Sequence, residues 1–249
     1  MKLRYPSGQL VTANVVDTLR YIAKVGALSK NTWVNYFAKG NYRWKNRQLQ
    51  FLNRNRILKL HSCERLKETW VLDINGKRLL DDMQQMYVTP IFANNLDHDE
   101  IVANGVLSLE RSNICQKWFT EKELKLIKGK QVEQTTNCET KYPDAMLQIE
   151  TPNKKRVVAI EYEKHGKDYG RYRSILWRYL GMKDIDHIFY VVEDKAIERR
   201  IMSVTKKIAS IDLINKLGFI NVTDWKRNAI EANIKINNGK TNFIKICKC

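Results

Sequence analysis

Four acidic residues lie close together in a chain that is otherwise strongly basic. Lys and Arg number 44 against 27 Asp and Glu, which gives a net charge of +17. The stretch PDAMLQIETPNKKRVVAIEYE, which begins at Pro143, nevertheless contains Asp144, Glu150, Glu161 and Glu163. Because such an excess of positive charge favours binding to a polyanion, these carboxylates need a reason of their own.

The spacing of three of these acids predicts a site for a divalent cation. Side chains alternate between the two faces of a strand, so Glu161 and Glu163 project on the same side of the predicted strand VVAIEYE. If Asp144 begins the neighbouring strand of an antiparallel pair, all three carboxylates converge where the sheet ends. Like charges on one face repel unless a cation lies between them. Mg²⁺ or Mn²⁺ fits, since either takes oxygen ligands and also binds phosphate.

Basic residues flank these acids along the chain. In a nuclease they would hold a phosphodiester against the ion, and they are Lys154, Lys155, Lys164, Lys167, Arg171 and Arg173. An exposed strand end with ordinary salt bridges explains the same composition and spacing equally well. The residue types alone leave both interpretations open.

The overall composition predicts a folded protein with a nucleic-acid partner. Its 249 residues, 43% of them hydrophobic, suffice for one large domain or two ordinary ones. An anionic membrane is the weaker alternative, because no apolar run approaches the ~18 residues of a spanning helix and the N-terminus lacks a signal-peptide core. Five scattered cysteines favour the reducing cytoplasm, and Cys247 with Cys249 makes a poor zinc site without further ligands.

The N-terminal segment predicts three short helices. The first follows Asn14, a candidate cap, and stops at Gly26. A second is expected from the Ser29 cap to Gly40, and a third from about Asn41 onwards.

Two strands are expected after these helices. They are ILKLHS, from Ile57, and TWVLDINGK, from Thr69, with Asn75–Gly76 as a turn signal. Three helices followed by a β-ribbon is the order of a winged helix-turn-helix, in which the third helix enters the major groove of DNA.

The predicted third helix carries the side chains expected to contact double-stranded DNA. Base edges are assigned to Arg43, Arg47, Gln48 and Arg54, and phosphate to Lys45. No Asp or Glu occurs between Thr18 and Cys63, whereas ten Lys or Arg do. An ordinary solvated surface would carry both signs, which favours DNA contact. Trp33 and Trp44 are expected in the core of this small domain.

The rest of the chain predicts a second domain of α/β type. A polar helix over 79–85 and then Pro90 suggest a linker, so we expect domains at 1–90 and 91–249. The periodicity predicts a mixed sheet built from strands at 145–149, 156–162, 188–192 and 219–222. Helices are predicted at 99–111, 120–128, 170–180 and 196–208.

The second region also carries a short nuclease-like pattern. Pro143–Asp144, a hairpin and then Glu161-x-Glu163 with Lys167 resemble the PD-(D/E)xK pattern, with the second glutamate in the usual place of the lysine. LDHDEIVANGVLSL, KWFTEKEL, YPDA and IEYEKHGKDYGRYRSIL resemble, in order and spacing, the replication-relaxation family of plasmids and mobile elements. That likeness covers roughly residues 10 to 195 and implies an N-terminal winged helix followed by a restriction-endonuclease-like domain.

The resemblance assigns roles to individual residues. The metal-binding acids would be Asp144, Glu161 and Glu163, Lys167 would position the nucleophile or stabilise the phosphorane, and Glu121 would be the upstream acid. His98 matches a family histidine but is as easily a helix cap. The lysine stands four residues after the second glutamate, away from its usual place.

The sequence is compatible with three functions. The first is a sequence-specific, Mg²⁺- or Mn²⁺-dependent nickase or endonuclease, relaxase-like, acting in replication, mobilisation or interference of a mobile element. A covalent route through Tyr169 or Tyr172 is a minor variant, because packing explains tyrosines at a helix start. The second is a non-catalytic DNA-binding regulator on a nuclease-like scaffold. The third is a structural or partner-recruiting protein of a mobile element, which only the basic charge favours. A homodimer or replication and mobilisation proteins are the expected protein partners.

Overall fold

The structure is a computed structural model that describes residues 4–5, 8, 10–61, 68–88, 95–129, 142–237 and 239–248. The chain divides into two compact units, Met1–Glu100 and Ile101–Cys249. The linker expected around Pro90 lies outside the described residues. The fold class is mixed α/β, with helices, a three-stranded sheet and a seven-stranded sheet.

The first unit combines helices with the small sheet. Its helices are α1 (Ala13–Val25), α2 (Lys30–Thr32), α3 (Tyr42–Arg54) and α4 (Ile74–Asp82), and a π-helical turn (Trp33–Phe37) continues α2. Its strands are β1 (Leu28–Ser29), β2 (Leu58–Leu60) and β3 (Thr69–Leu72). They pair antiparallel in the order β1-β3-β2. The three helices and two longer strands expected from the sequence are therefore present.

Most helix ends of this unit follow their sequence signals. The side chains of Ser29 and Asn41 each accept a hydrogen bond from the backbone N–H three residues later, which confirms the Ser29 cap and the helix start predicted at about Asn41. Gly26 ends α1 in the left-handed region, with φ of 94°. The predicted cap at Asn14 is wrong, because α1 begins directly after the extended residue Thr12 and Asn14 lies in its first turn.

The turn predicted at Asn75–Gly76 is also wrong. Both residues lie inside α4, because the Asp73 carboxylate accepts a 2.7 Å hydrogen bond from the Ile74 N–H and starts the helix there. Gly76 is required for close packing instead, since a Cβ there would come within 2.2 Å of the Ile57 carbonyl oxygen.

The two tryptophans expected in the core of the first unit have different environments. Trp33 is 1% exposed and its indole N–H donates to the Lys45 carbonyl, so that prediction is confirmed. Trp44 is 52% exposed, and the prediction is wrong. At ~100° per residue along α3, Trp44 lies well off the buried stripe that contains Leu49 and Leu52.

The second unit is built around the larger sheet. Its helices are α5 (Leu96–Arg111, within which the two units divide), α6 (Glu121–Gly129), α7 (Tyr169–Gly181), α8 (Lys195–Ile208), α9 (Ile211–Lys216), α10 (Val222–Asn228) and α11 (Phe243–Lys248). Its strands are β4 (Lys117–Thr120), β5 (Ala145–Glu150), β6 (Lys155–Glu163), β7 (His187–Val192), β8 (Leu217–Asn221), β9 (Ile234–Ile236) and β10 (Gly239–Thr241).

The strand order of this sheet is β10-β9-β8-β7-β6-β5-β4. The pairs β6/β7 and β7/β8 are parallel, and the other four are antiparallel. The predicted mixed sheet, with β6 as an interior strand, is confirmed. The sequence patterns missed β4, β9, β10 and the helices α9 to α11.

One face of the sheet packs against α7 and α8. Its core includes Ala159 of β6, Tyr190 of β7, Leu176 of α7 and Ile201 of α8, each 0% exposed. Since side chains alternate along a strand, Glu161 and Glu163 project to the same face as Ala159. Within the described residues, no helix has the length and apolar character needed to cross a bilayer.

Candidate functional site

Polar side chains form a row across adjacent strands of the large sheet. Ala145 of β5 pairs with Ile160 of β6, so the preceding residue, Asp144, stands opposite Glu161. Glu161 in turn pairs with Tyr190 of β7 in the parallel register. The predicted placement of Asp144 beside the end of β6 is therefore what the strand register gives.

Backbone hydrogen bonds fix the position of Asp144. Its Oδ2 accepts a 2.8 Å hydrogen bond from the Tyr162 N–H, and its carbonyl oxygen accepts one of 3.1 Å from the Glu121 N–H. Glu121 thus begins α6 next to Asp144. Its carboxylate forms a 2.8 Å ion pair with Lys125, however, and remains 38% exposed.

Glu161 is buried and bonded to a tyrosine of α7. The residue is 1% exposed, and its Oε1 accepts a hydrogen bond from the Tyr179 hydroxyl. Burial raises the pKa of Tyr179 well above its ordinary value, and the negative charge of Glu161 raises it further. Tyr179 therefore remains protonated near neutral pH and holds the carboxylate in one orientation.

Glu163 is buried with a cation. Its residue is 2% exposed, and the Lys167 ammonium forms an ion pair with its Oε1. The Lys167 nitrogen also lies 5.8 Å from the centre of the Tyr172 ring. The loop between β6 and α7 therefore brings the predicted lysine to Glu163.

Tyr190 is a member of this site that the sequence did not reveal. Its hydroxyl is fully buried, and within the described part of the chain no group offers it a hydrogen bond. Burial raises its pKa well above the ordinary value, with Glu161 and Glu163 raising it further. Tyr190 stands inside an apolar strand, HIFYVV, so only its pairing with β6 identifies it.

The donor types suit a hard cation, although the carboxylates are engaged with the protein. Asp144 and Glu161 supply oxygen ligands on neighbouring strands, the kind that Mg²⁺ and Mn²⁺ prefer. The buried hydroxyl of Tyr190, which has no hydrogen-bond partner among the described residues, suits a polar guest such as a water bound to an ion. Among the described residues, however, no group of three or more His, Cys, Asp or Glu side chains is arranged to hold a metal ion.

Not all of the basic residues expected around the acids reach them. Lys154 pairs with Asp186, and Lys155 pairs with Glu150 at 3.4 Å. Both lysines lie at the start of β6, whereas Glu163 ends it, about 26 Å away at ~3.3 Å per residue. The expectation that these two lysines surround the acids is wrong.

The remaining predicted cations lie near the beginning of α7. Lys164, Arg171 and Arg173 are exposed. The Asp168 carboxylate caps this helix by accepting a 2.8 Å hydrogen bond from the Arg171 N–H. These three cations are therefore exposed close to Lys167 along the chain.

The predicted DNA-contacting residues of α3 divide into two groups. Arg43, Arg47 and Arg54 are exposed and share one face of the helix, since their spacing of four and then seven residues returns to nearly the same angle. Gln50 is exposed on that face as well and was not identified from the sequence.

Lys45 and Gln48 point elsewhere. The Lys45 ammonium donates a 2.6 Å hydrogen bond to the Val34 carbonyl, and the Gln48 side-chain amide donates at 3.5 Å to the Lys39 carbonyl. Both side chains therefore contact the preceding segment of their own unit. Of the predicted set, the three arginines are the ones that α3 presents to solvent.

The other candidates have simple surroundings. His98 lies in the first turn of α5, with its Nδ1 3.3 Å from an Asp99 carboxylate oxygen. Tyr169 and Tyr172 lie at the start of α7, as predicted, with Tyr169 40% exposed and Tyr172 buried. Cys247 is half-buried, and its expected companion at position 249 lies outside the described residues.

Comparisons with known proteins add no relative to this description. No family model, no curated protein and no solved structure matched the chain.

Proposed function

We propose that the chain is a divalent-metal-dependent DNA nickase or endonuclease of relaxase-like type. The observation that carries the proposal is the placement of Asp144 opposite Glu161 at the end of two paired strands, with Lys167 beside Glu163. Acids on adjacent strands with a nearby ammonium form the minimal arrangement for hydrolysis of a phosphodiester.

The position of Lys167 supports this assignment. In the PD-(D/E)xK pattern that the sequence resembles, a lysine usually stands where Glu163 stands here. The Lys167 ammonium reaches the Glu163 carboxylate from four residues further along. The Lys167 ammonium thus lies close to the position that the lysine of the pattern usually occupies, although Lys167 stands four residues further along the chain.

Asp144 and Glu161 would hold the cation. When bound, Mg²⁺ or Mn²⁺ would polarise the scissile phosphate and lower the pKa of the attacking water. The Tyr162 N–H and the Tyr179 hydroxyl orient the two carboxylates before any ligand arrives. Glu163 joins the ligand set only if it exchanges Lys167 for the ion.

Lys167 is placed to act on the phosphate. Its side chain is 22% exposed, although its ammonium pairs with a buried carboxylate. A phosphate that enters beside it gains a charge-assisted hydrogen bond, which strengthens as negative charge develops on the phosphate oxygens. The exposed Arg171 and Arg173 would steer the DNA backbone to the same place.

We assign recruitment to double-stranded DNA to the first unit, as a winged helix-turn-helix. The support is its element order, with β1 pairing with β3 and the arginine face of α3 exposed. Arg43 and Arg47 are the candidates for guanine edges, because a guanidinium group bonds guanine bidentately. The process served would be replication, mobilisation or interference of a mobile element, with a homodimer or mobilisation proteins as partners.

Incubation of the full chain with supercoiled plasmid and Mg²⁺ or Mn²⁺ tests the proposal. Conversion to open circles is the expected result for a nickase, and a linear product would identify an endonuclease. Plasmid that stays supercoiled under both metals, while still shifting on a gel, would overturn the catalytic reading.

That last outcome would support the second candidate, a non-catalytic DNA-binding regulator. The observation in its favour is that Glu163 and Glu161 already bond to Lys167 and Tyr179. In a regulator these contacts would serve only to stabilise the domain. The arginine face of α3 is expected to bind duplex DNA under either function.

A further inference from the structure

The outer face of α7 differs from an ordinary solvated helix surface. Its exposed residues include three arginines and two large aromatic side chains: Tyr169, Arg171, Arg173, Trp177 and Arg178. No acidic residue occurs from the first to the last residue of the helix. The face is therefore both cationic and aromatic.

Trp177 is the least expected member of this face. It is 49% exposed, whereas the other tryptophans of its unit, Trp118 and Trp225, are 2% and 1% exposed. Tyr169, Arg173 and Trp177 follow one another at intervals of four residues, so they form a stripe about 12 Å long at ~1.5 Å per residue. An aromatic ring thus stands at each end of the stripe, with a cation between them.

The arginines of this face are uncompensated. Within the described residues, none of Arg171, Arg173 and Arg178 forms an ion pair. Elsewhere on the same unit surface lysines do find acids, as in the pairs Lys235–Glu198 and Lys216–Asp212. A further cation, Lys207 of α8, lies 4.7 Å from the centre of the Tyr169 ring.

Cations interleaved with exposed rings match a nucleic-acid strand whose bases are unpaired. Phosphates meet the guanidinium groups, and bases stack on the rings, which a duplex would not permit because its base faces are covered. The stripe begins at the end of α7 that follows Lys167, beside the buried acids.

We propose that this face of α7 binds single-stranded DNA, with one base stacked on Trp177 and the flanking phosphates on Arg173 and Arg178. The inference rests on the proposed function in that the bound strand is the one that carries the scissile phosphate. It adds a substrate class, a melted or single-stranded segment, to the duplex recognised by the first unit. Trp177 is a positioning residue here, since it touches the strand away from the reacting bond.

Binding of the full chain to a labelled ~15-nucleotide oligothymidylate, measured by fluorescence anisotropy in EDTA, tests the inference. Trp177→Ala is expected to weaken binding about tenfold, the loss of one stacked base. Trp177→Phe should retain most of the affinity, because a phenyl ring still stacks. Ile211→Ala is the matched control, an exposed apolar side chain of the same unit at 75% exposure, and should bind as the wild type does. Arg173→Glu should weaken binding further and flatten its salt dependence.

Unchanged oligothymidylate binding in Trp177→Ala and Arg173→Glu would overturn the inference. Binding to vesicles of phosphatidylcholine and phosphatidylserine is measured for the same variants. If they lose affinity for the vesicles and keep their affinity for oligothymidylate, the inference is overturned and the face is assigned to an anionic membrane. Binding to a blunt duplex should not respond to Trp177→Ala. Because no metal is present, failure of the nicking reaction and failure of the strand site are separate results.

Discussion

The arginines of α3 in the first unit and the glutamates of β6 in the second unit place their charges in opposite ways. In the first unit the arginines of α3 stand in solvent on one face. In the second, Glu161 and Glu163 are at most 2% exposed and are bonded to Tyr179 and Lys167. Exposed charges cost little and suit a large polyanion that brings its own counter-charge. Buried charges are costly unless satisfied, and such an arrangement suits a small ion or a reacting group.

The largest expected effect would come from neutralising the acids of the second unit. Asp144→Asn or Glu161→Gln should lower nicking by at least about a hundred-fold, since each removes a proposed ligand while preserving size and hydrogen bonding. Duplex affinity should stay the same or rise, because a charge that repels phosphate is lost. Plasmid nicking with Mn²⁺ and gel-shift titrations measure the two quantities.

Glu150→Gln provides the control for these variants. Glu150 ends the same strand, β5, that Asp144 precedes, and its side chain is 46% exposed. Its neutralisation should leave nicking unchanged. If Asp144→Asn and Glu161→Gln nick as fast as Glu150→Gln, these two acids are architectural.

A second variant sharpens the contrast between buried and exposed pairs. Lys167→Ala should destabilise the fold by about 3 kcal/mol, because it leaves the Glu163 carboxylate buried without its cation. Lys125→Ala, which breaks the exposed pair with Glu121, should cost no more than about 0.5 kcal/mol. Urea unfolding of each variant measures the difference.

The double variant Lys167→Met with Glu163→Gln distinguishes the cost of a buried, unpaired charge from the cost of lost side-chain packing. Removing both charges should recover much of the stability lost in Lys167→Ala, because no unpaired charge is then buried. Equal unfolding midpoints for Lys167→Ala and Lys125→Ala would contradict the expectation that an unpaired, buried Glu163 carboxylate destabilises the fold.

The sequence predicted much of the fold because its signals there are local. The Ser29 cap, the helix start at Asn41 and the apolar run in β6 depend on neighbours in the chain. The turn predicted at Asn75–Gly76 was wrong because a stronger local signal, the Asp73 cap, stands two residues earlier and starts a helix. The short strands β9 and β10 were missed because three residues carry too little periodicity.

The site was only partly predictable because it depends on strand register. The positions of Asp144, Glu161 and Lys167 were accessible from their types and spacing. Tyr190 was not, since nothing in an apolar strand shows which residue will pair with Glu161. Lys154 was assigned to the acids because it is near them in sequence, but an extended strand separates it from them.

The arginines of α3 provide the third test, on the exposed side of the comparison. Arg43→Ala or Arg47→Ala should weaken binding to the preferred duplex by ~1–3 kcal/mol each, with little change in stability. Lys45→Ala should lower the stability and leave the duplex affinity nearly unchanged, because the Lys45 ammonium is bonded to the Val34 carbonyl. Arg20→Ala, an exposed position on α1, is the control.

Binding isotherms on cognate and scrambled duplexes decide between these roles. If Arg43→Ala and Arg47→Ala bind both duplexes as tightly as Arg20→Ala does, α3 is not the reading helix. If both duplexes are weakened by the same factor, the arginines contact phosphate rather than bases.

The smallest expected effect concerns pH, where the two units should differ in sign. Burial raises the pKa of Glu100, a buried carboxyl of the first unit that accepts a 2.7 Å hydrogen bond from the Ser29 N–H. Its contribution to stability is therefore fully present at low pH, below its unfolded pKa, and lost as pH rises through the folded pKa. Burial lowers the pKa of His187 in the second unit, with the Arg156 guanidinium lowering it further.

The unfolded chain therefore binds more protons at His187 than the folded chain does as pH approaches and passes below about 6.5. The stability from a neutral His187 is present above that pH and lost as pH falls through the folded pKa. Between pH ~7.5 and ~5.5, His187→Gln should lose less stability than the wild type, because the amide accepts from Arg156 at either pH. His165→Gln, at an exposed position, should follow the wild type. Urea unfolding midpoints at the two pH values measure this. If the wild type and His187→Gln lose the same stability between them, protonation of His187 does not destabilise the fold.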